Sequence, residues 1–258
     1  MVALLGCSGD LPVWQALRDE LHPQGFEVVT VGMDTAGPEA CRHFIEAANP
    51  THPSLIDANH DVAAKFGIIN IPNSVWIDEE GMIVRPAEAA PAPPSIDVAR
   101  TNPFEGLTEF PDRAMAIMAE AVNIEASPEA YEAALRDWVA KGSESTFALS
   151  PDEVIARSQP RDDNTSRGQA HFSLATHLEQ AGDHQAAIGH FREAHALVPD
   201  NFAYRRQAWS LEPGGEGAFA RFWQGPEEGN EEAWPYASEW ISDVQAMGPA
   251  NYYPKFQP

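Results

Sequence analysis

The sequence predicts an α/β layered unit followed by an all-α region, and three observations carry that reading. Helix-like and strand-like segments alternate through residues 1–86. Every patterned segment after residue 95 has helical spacing. An Ala/Pro-rich stretch, residues 87–95 (AEAAPAPPS), stands between the two. With 258 residues, the chain exceeds the roughly 100–200 expected of one domain. The expected organisation is residues 1–86 as the α/β unit, 87–110 as a linker or extended crossing, and 111–258 as the helical unit.

Leu11, Trp14, Leu17 and Leu21 recur every three or four residues and predict an amphipathic helix, ended by His22-Pro23-Gln24-Gly25. Phe26–Met33 is β-branched and nearly all apolar, as suits a strand covered on both faces. Pro38 opens a helix whose apolar face is Cys41, Phe44, Ile45 and Ala48. A short strand at Ser54–Ile56 and a short helix carrying Val62, Ala63 and Phe66 follow. Strands Ser74–Ile77 and Met82–Val84 flank Asp78-Glu79-Glu80-Gly81, a hairpin turn with glycine at its end.

In the helical region, Ser127-Pro128-Glu129 reads as an N-cap with proline at the first helical position. Tyr131, Ala134, Leu135, Trp138 and Val139 form one apolar stripe, and Gly142 ends that helix. Ser150-Pro151-Asp152-Glu153 is a capping box. Residues 168–201 resemble one 34-residue tetratricopeptide repeat. Leu174, Ala175 and Leu178 take the first helix's packing positions, Gly182-Asp183 the turn, Ala187, Phe191 and Ala194 the second helix, and Pro199 the close. A single repeat cannot bury its own face, so helix 202–211 and the helices before residue 160 are its expected neighbours. The aromatic tail (Phe219, Phe222, Trp223, Trp234, Tyr236, Trp240, Tyr252, Tyr253, Phe256) is expected to pack on these helices, with a groove for a partner as the alternative.

The formal charge is −23, from 39 acidic and 16 basic residues, which repels nucleic-acid backbones and anionic lipid. No apolar run approaches the ~20 residues of a membrane span. The N-terminus lacks the basic region of a signal peptide, so the expected location is cytoplasmic. Two cysteines, Cys7 and Cys41, are too few for a disulfide framework.

The sequence from Gly25 to Pro86 resembles the thioredoxin-like domains of the cytochrome-maturation and peroxiredoxin-related class. The resemblance rests on Phe66-Gly67-Ile68, Ile71-Pro72-Asn73-Ser74, Val75-Trp76-Ile77-Asp78 and Gly81-Met82-Ile83-Val84, in that order. It implies a mixed sheet flanked by helices and thiol-disulfide oxidoreductase activity on protein thiols or disulfides. It also implies a cis proline at Pro72 beside the redox cysteine, with Ile71 and Asn73 touching substrate. The family's motif is Cys-x-x-Cys, with a helix proline five residues after the second cysteine. Cys7 stands five residues before Pro12, so it takes the second position, with Leu4 in the first and Asp10 as the acidic residue that follows. The other alignment makes Cys7 the first cysteine and Asp10 the replaced second, with the proline too early. Neither yields Cys-x-x-Cys. Only Val2–Leu5 remains for the preceding strand, so the chain is expected to begin inside the domain, an N-terminally truncated thioredoxin-like fold.

A lone Cys7 at a helix N-terminus gains thiolate character and can form a mixed disulfide or a sulfenic acid. The alternative is a non-catalytic interaction module that combines a degenerate thioredoxin fold with the repeat and binds a partner protein there. Cys41 shares an apolar face with Phe44 and Ile45 and reads as core. His171, His177, His184, His190 and His195 are spaced six, seven, six and five apart, not the three or four that pair ligands on one helix face. No metal and no cofactor are expected, and there is no Gly-rich phosphate loop.

Overall fold

The computed structural model describes residues 10–90, 112–158, 160–212, 225–226, 231–253 and 256. The chain is mostly helical, with two two-stranded sheets among the described residues. It forms two compact units that interleave in sequence: Met1–Arg100, Ala126–Pro160 and Pro254–Pro258 make one, Thr101–Glu125 and Arg161–Tyr253 the other. The sequence divides at residues 86 and 111; by packing, Ala126–Pro160 instead goes with the first unit.

In the first unit, α1 (Leu11–Leu21) buries the expected Leu11, Trp14, Leu17 and Leu21. Strand β1 is only Thr30–Gly32, shorter than the apolar run around it, and pairs in parallel with β2 (Ser54–Ile56). Helices α2 (Pro38–Ala48) and α3 (Asp61–Phe66) lie on either side of β2 in sequence. Strands β3 (Asn73–Ile77) and β4 (Ile83–Ala89) form an antiparallel hairpin. Asp78 closes its turn by accepting from the N–H groups of Glu80 (3.1 Å) and Met82 (2.8 Å), and Gly81 takes φ +80°. Among the described residues β1–β2 and β3–β4 are two separate pairs; Val2–Leu5, expected as the strand before α1, lies outside the described residues.

Strand β4 corrects the linker boundary. It continues through Ala87, Glu88 and Ala89, with Ser74 opposite Glu88 and Asn73 opposite Ala89. Small side chains let the backbone pack closely here: Ala89 and Ala90 are buried. The remainder of the expected linker, 91–110, lies outside the described residues.

Helix α5 (Pro128–Lys141) supplies the apolar stripe of Tyr131, Ala134, Leu135 and Trp138, and that stripe packs with Trp14, Leu17, Val28 and Trp76 in one core. The Tyr131 hydroxyl lies 2.5 Å from Ser74 Oγ and accepts from Trp76 Nε1 at 2.7 Å. Trp138 stacks on Trp76 at 5.0 Å. Ser127 occupies the N-cap position of α5, but its side chain caps no N–H. Helix α6 (Pro151–Ser158) realises its capping box: Ser150 N–H and Oγ both donate to Glu153. Leu149 N–H donates to the Val84 carbonyl, extending the contact to β4. Arg85 is fully buried, paired with Glu88 (2.6 and 2.9 Å), donating to the Phe147 carbonyl and lying over the rings of Trp76 and Phe256.

In the second unit, α7 (Asp163–Gln180) and α8 (His184–Leu197) run antiparallel, because contacts pair low with high numbers: Gly168 with Val198, Phe172 with Phe191, Glu179 with His184. Asp162 and Asp183 cap them by accepting from Thr165 and Ala186 N–H. Gly182 turns the chain at φ +83°. Ala187, Phe191 and Ala194 are fully buried, as expected. Leu174 is not: it is 43% exposed, and Phe172 and Ala175 fill the interface instead. Helix α9 (Phe202–Leu211) packs next, capped by Asn201. Helices α4 (Asp112–Ala121) and α10 (Trp240–Met247) complete the unit, and Tyr236, Trp240 and Tyr252 join the core of Phe172, Phe191 and Trp209. The aromatic tail is therefore divided: Phe256 packs on Tyr131 and Phe147 in the first unit. Phe219, Phe222 and Trp223 lie outside the described residues.

Ala187 leaves no room at the α7–α8 interface. Replacing Ala187 with Phe is expected to lower stability by about 1–3 kcal/mol through overpacking, read as a fall in melting temperature. His184 predicts a pH dependence. Burial opposes its charge, but Glu179 (2.8 Å) and Glu212 (3.5 Å) outweigh burial and hold its pKa above the usual value. A raised folded pKa stabilises fully below the unfolded value, about 6.5, and the gain is lost as pH rises through the folded one. Thermal denaturation followed from pH 6 to 8.5 is expected to show this loss, and His184→Gln to flatten it.

Candidate functional site

The start of α1 and the loop before β3 meet in one small core. Leu11, immediately after Asp10, packs with Met33, Ala63, Ile68 and Ile71. Pro12 sits in the first turn of α1, where its missing N–H costs nothing. Asp10 holds the N-cap position, but its carboxylate makes no capping bond; its carbonyl accepts from Trp14 N–H at 3.0 Å. Burial pushes the Asp10 carboxyl up to about 7, so near neutrality it is poised between acid and base. Cys7 and Leu4 lie outside the described residues.

The 70–73 loop is held by its own side chains. Asn70 Oδ1 accepts from Ile71 N–H at 2.9 Å. The Ile71–Pro72 bond is cis, and the Pro72 carbonyl accepts from Ala90 N–H at 3.3 Å. Ile71 is buried in the core with Leu11 and is not a free contact surface. Asn73 is also buried, and its Oδ1 has no hydrogen-bond partner. Of the expected site residues, the fold thus brings the neighbour of Asp10 together with Ile71, and Pro72 and Asn73 continue that loop.

Cys41 is buried on α2. Burial and the charge of Asp34 push its thiol up to about 11. It is therefore protonated and poorly nucleophilic at neutral pH. Among the described residues no group of three or more His, Cys, Asp or Glu is arranged to hold a metal. The histidines take other roles: His171 and His190 share a 2.9 Å Nδ1–Nδ1 hydrogen bond, and burial with the nearby Arg205 charge lowers His195 to about 3.

The sequence reading did not find the cavity beside β3. Its volume is about 600 Å³, and Trp14, Val31, Asn73, Trp76, Leu135 and Trp138 are among its lining residues. The stripe on α5 was legible, but nothing in its spacing says that it closes over β3. Comparison with known proteins found no matching family, no matching curated protein and no matching solved structure.

Two predictions follow from the electrostatics. Asp10→Asn is expected to stabilise the chain at pH 8 by about 1–2 kcal/mol, because the raised carboxyl costs stability once pH passes the unfolded value near 4 and rises towards 7. Below pH 4 the variant and parent should denature together. Iodoacetamide at pH 7.5 is expected to leave Cys41 unmodified in the folded chain and to modify it in denaturant, as read by peptide mass.

Proposed function

We propose that the chain is a thioredoxin-like redox protein that works through one cysteine, Cys7. The observation that carries this reading is that Leu11, four residues after Cys7 in sequence, shares one buried core with Ile71, the residue before Pro72. The poised carboxyl of Asp10 supports it, since a group near neutrality can take the thiol proton and return it. The short antiparallel hairpin, the parallel pair β1–β2 and the sequence pattern from Phe66 to Val84 are further support. The second unit is the tetratricopeptide-like partner-binding part of this reading.

The chemistry is a half-reaction. The Cys7 thiolate attacks one sulfur of a substrate disulfide, a new S–S bond forms, and the displaced sulfur leaves as a thiolate that takes up a proton. Ordinary turnover then needs a second thiol in the same chain. Leu4 stands in the position of the nucleophile, and Cys41 is buried and protonated. Resolution therefore falls to an external thiol such as glutathione.

Intact mass after treatment with glutathione disulfide tests the reading. The expected result is a single glutathione adduct at neutral pH, absent in Cys7→Ser and formed faster than on free cysteine. Dithiothreitol-driven reduction of insulin should stay at the uncatalysed rate. An inert Cys7 overturns the redox reading in favour of the non-catalytic interaction module, and rapid insulin turnover overturns the single-cysteine assignment.

A further inference from the structure

One imidazole in the second unit stands between two carboxylates. Glu179 lies in the last turn of α7, His184 opens α8, and Glu212 is the residue after α9. His184 Nδ1 is 2.8 Å from Glu179 Oε2, and His184 Nε2 is 3.5 Å from Glu212 Oε2. The other Glu212 oxygen, Oε1, accepts from the Tyr236 hydroxyl at 2.8 Å. A neutral imidazole carries one ring proton, and filling both carboxylate contacts takes two. The run Glu179–His184–Glu212–Tyr236 is therefore complete only with the imidazolium.

The two carboxylates do not depend on that charge equally. The Glu179 side chain is 19% exposed and reaches water, whereas that of Glu212 is 8% exposed. Among the described residues His184 is the one cationic group paired with Glu212. Its other partner is neutral: burial and the Glu212 charge push the Tyr236 phenol far up, so it stays protonated. When the imidazole loses a proton, the one that remains serves the shorter contact, to Glu179. Nε2 is then an acceptor facing an acceptor, and Glu212 is a buried charge held by one neutral donor, a state that exposure to water relieves. No other group near Tyr236 titrates in the same range. His195, whose ring lies 5.2 Å from it, is held at about 3 by burial and the Arg205 charge, Arg205 is paired with Asp243, and Asp183 is occupied in capping α8.

We propose that His184, Glu212 and Tyr236 form a proton-operated clamp: the imidazolium fastens the end of α9 and the Tyr236 segment to the α7–α8 turn, and loss of its proton turns Glu212 to solvent and frees Tyr236. Glu179 and Glu212 hold the His184 pKa above its usual value against the effect of burial. The clamp is therefore closed below about 6.5 and opens as pH rises through the folded value. The opening is local. Tyr236 packs edge-on to Trp234 just before α10, whereas Tyr204 stacks on Phe172 at 4.0 Å inside the α7–α9 core and keeps its place. The clamp lies wholly in the second unit and does not depend on Cys7.

The test is an NMR titration of the full chain from pH 5.5 to 9 with labelled histidine and tyrosine rings. The His184 ring nitrogens are expected to titrate with a midpoint above about 6.5. The Tyr236 ring signals should move towards those of an exposed tyrosine with the same midpoint, while the Tyr204 signals stay fixed. In Glu212→Gln the His184 midpoint should fall and Tyr236 should no longer follow it; in His184→Gln the Tyr236 signals should be independent of pH over this range. Tyr236 signals that stay constant while His184 titrates, a His184 midpoint at or below about 6.5, or a Tyr236 transition that survives in His184→Gln each overturns the proposal. So does Tyr204 moving together with Tyr236, since the whole unit would then loosen rather than one clamp. The agreement or disagreement of the midpoints in the parent chain decides the matter even where a variant fails to fold.

Discussion

The first unit depends on the hydroxyl of Tyr131. It sits on α5, far along the chain from β3, yet it meets Ser74 Oγ and Trp76 Nε1 together. Burial raises the phenol's pKa well above its normal value, so the oxygen stays protonated and serves as donor and acceptor at once. Because that bond is met, Trp76 can be buried, Trp138 can stack on it, and Trp14 and Phe256 can pack edge-on to the tyrosine ring. The two-stranded β3–β4 hairpin would be marginal alone; it has a core because α5 covers it. The interleaving of the two units along the chain follows from the same contact.

Local signals were legible wherever neighbours in sequence are neighbours in space. The spacing of Leu11, Trp14, Leu17 and Leu21 located α1, Asp78 to Gly81 located the hairpin turn, and Gly182-Asp183 located the helical turn. What failed was long-range. The stripe of α5 has the same spacing whichever surface it covers, so its place in the first unit could not be read from it. An alanine-rich stretch reads as linker, yet Ala87 to Ala89 continue β4 because their partner strand supplies the ladder. Leu174 fits a repeat's pattern, but Phe172 fills the contact and leaves it outside. The burial of Arg85 carries no sequence signal: Glu88 is its neighbour on β4, but Phe147 and the rings of Trp76 and Phe256 come from separate segments.

Asp10, Ile71, Pro72 and Asn73 were named from the order of motifs, and in the structure Leu11, next to Asp10, shares one small core with Ile71. Their electrostatics were not, because burial is a property of the fold. The same physical effect, removal of water, acts on both titrating groups that matter. It lifts the Asp10 carboxyl to about 7 and, with the charge of Asp34, the Cys41 thiol to about 11.

Native-state hydrogen exchange resolved by residue tests the central claim, that α5 is part of the first unit. The account predicts that the amides of α5 and of β3–β4 open with one common free energy, and that Tyr131→Phe lowers both together while α7 and α8 keep theirs. Protection of α5 that follows α7 and α8, with β3–β4 exchanging independently of it, would contradict the account.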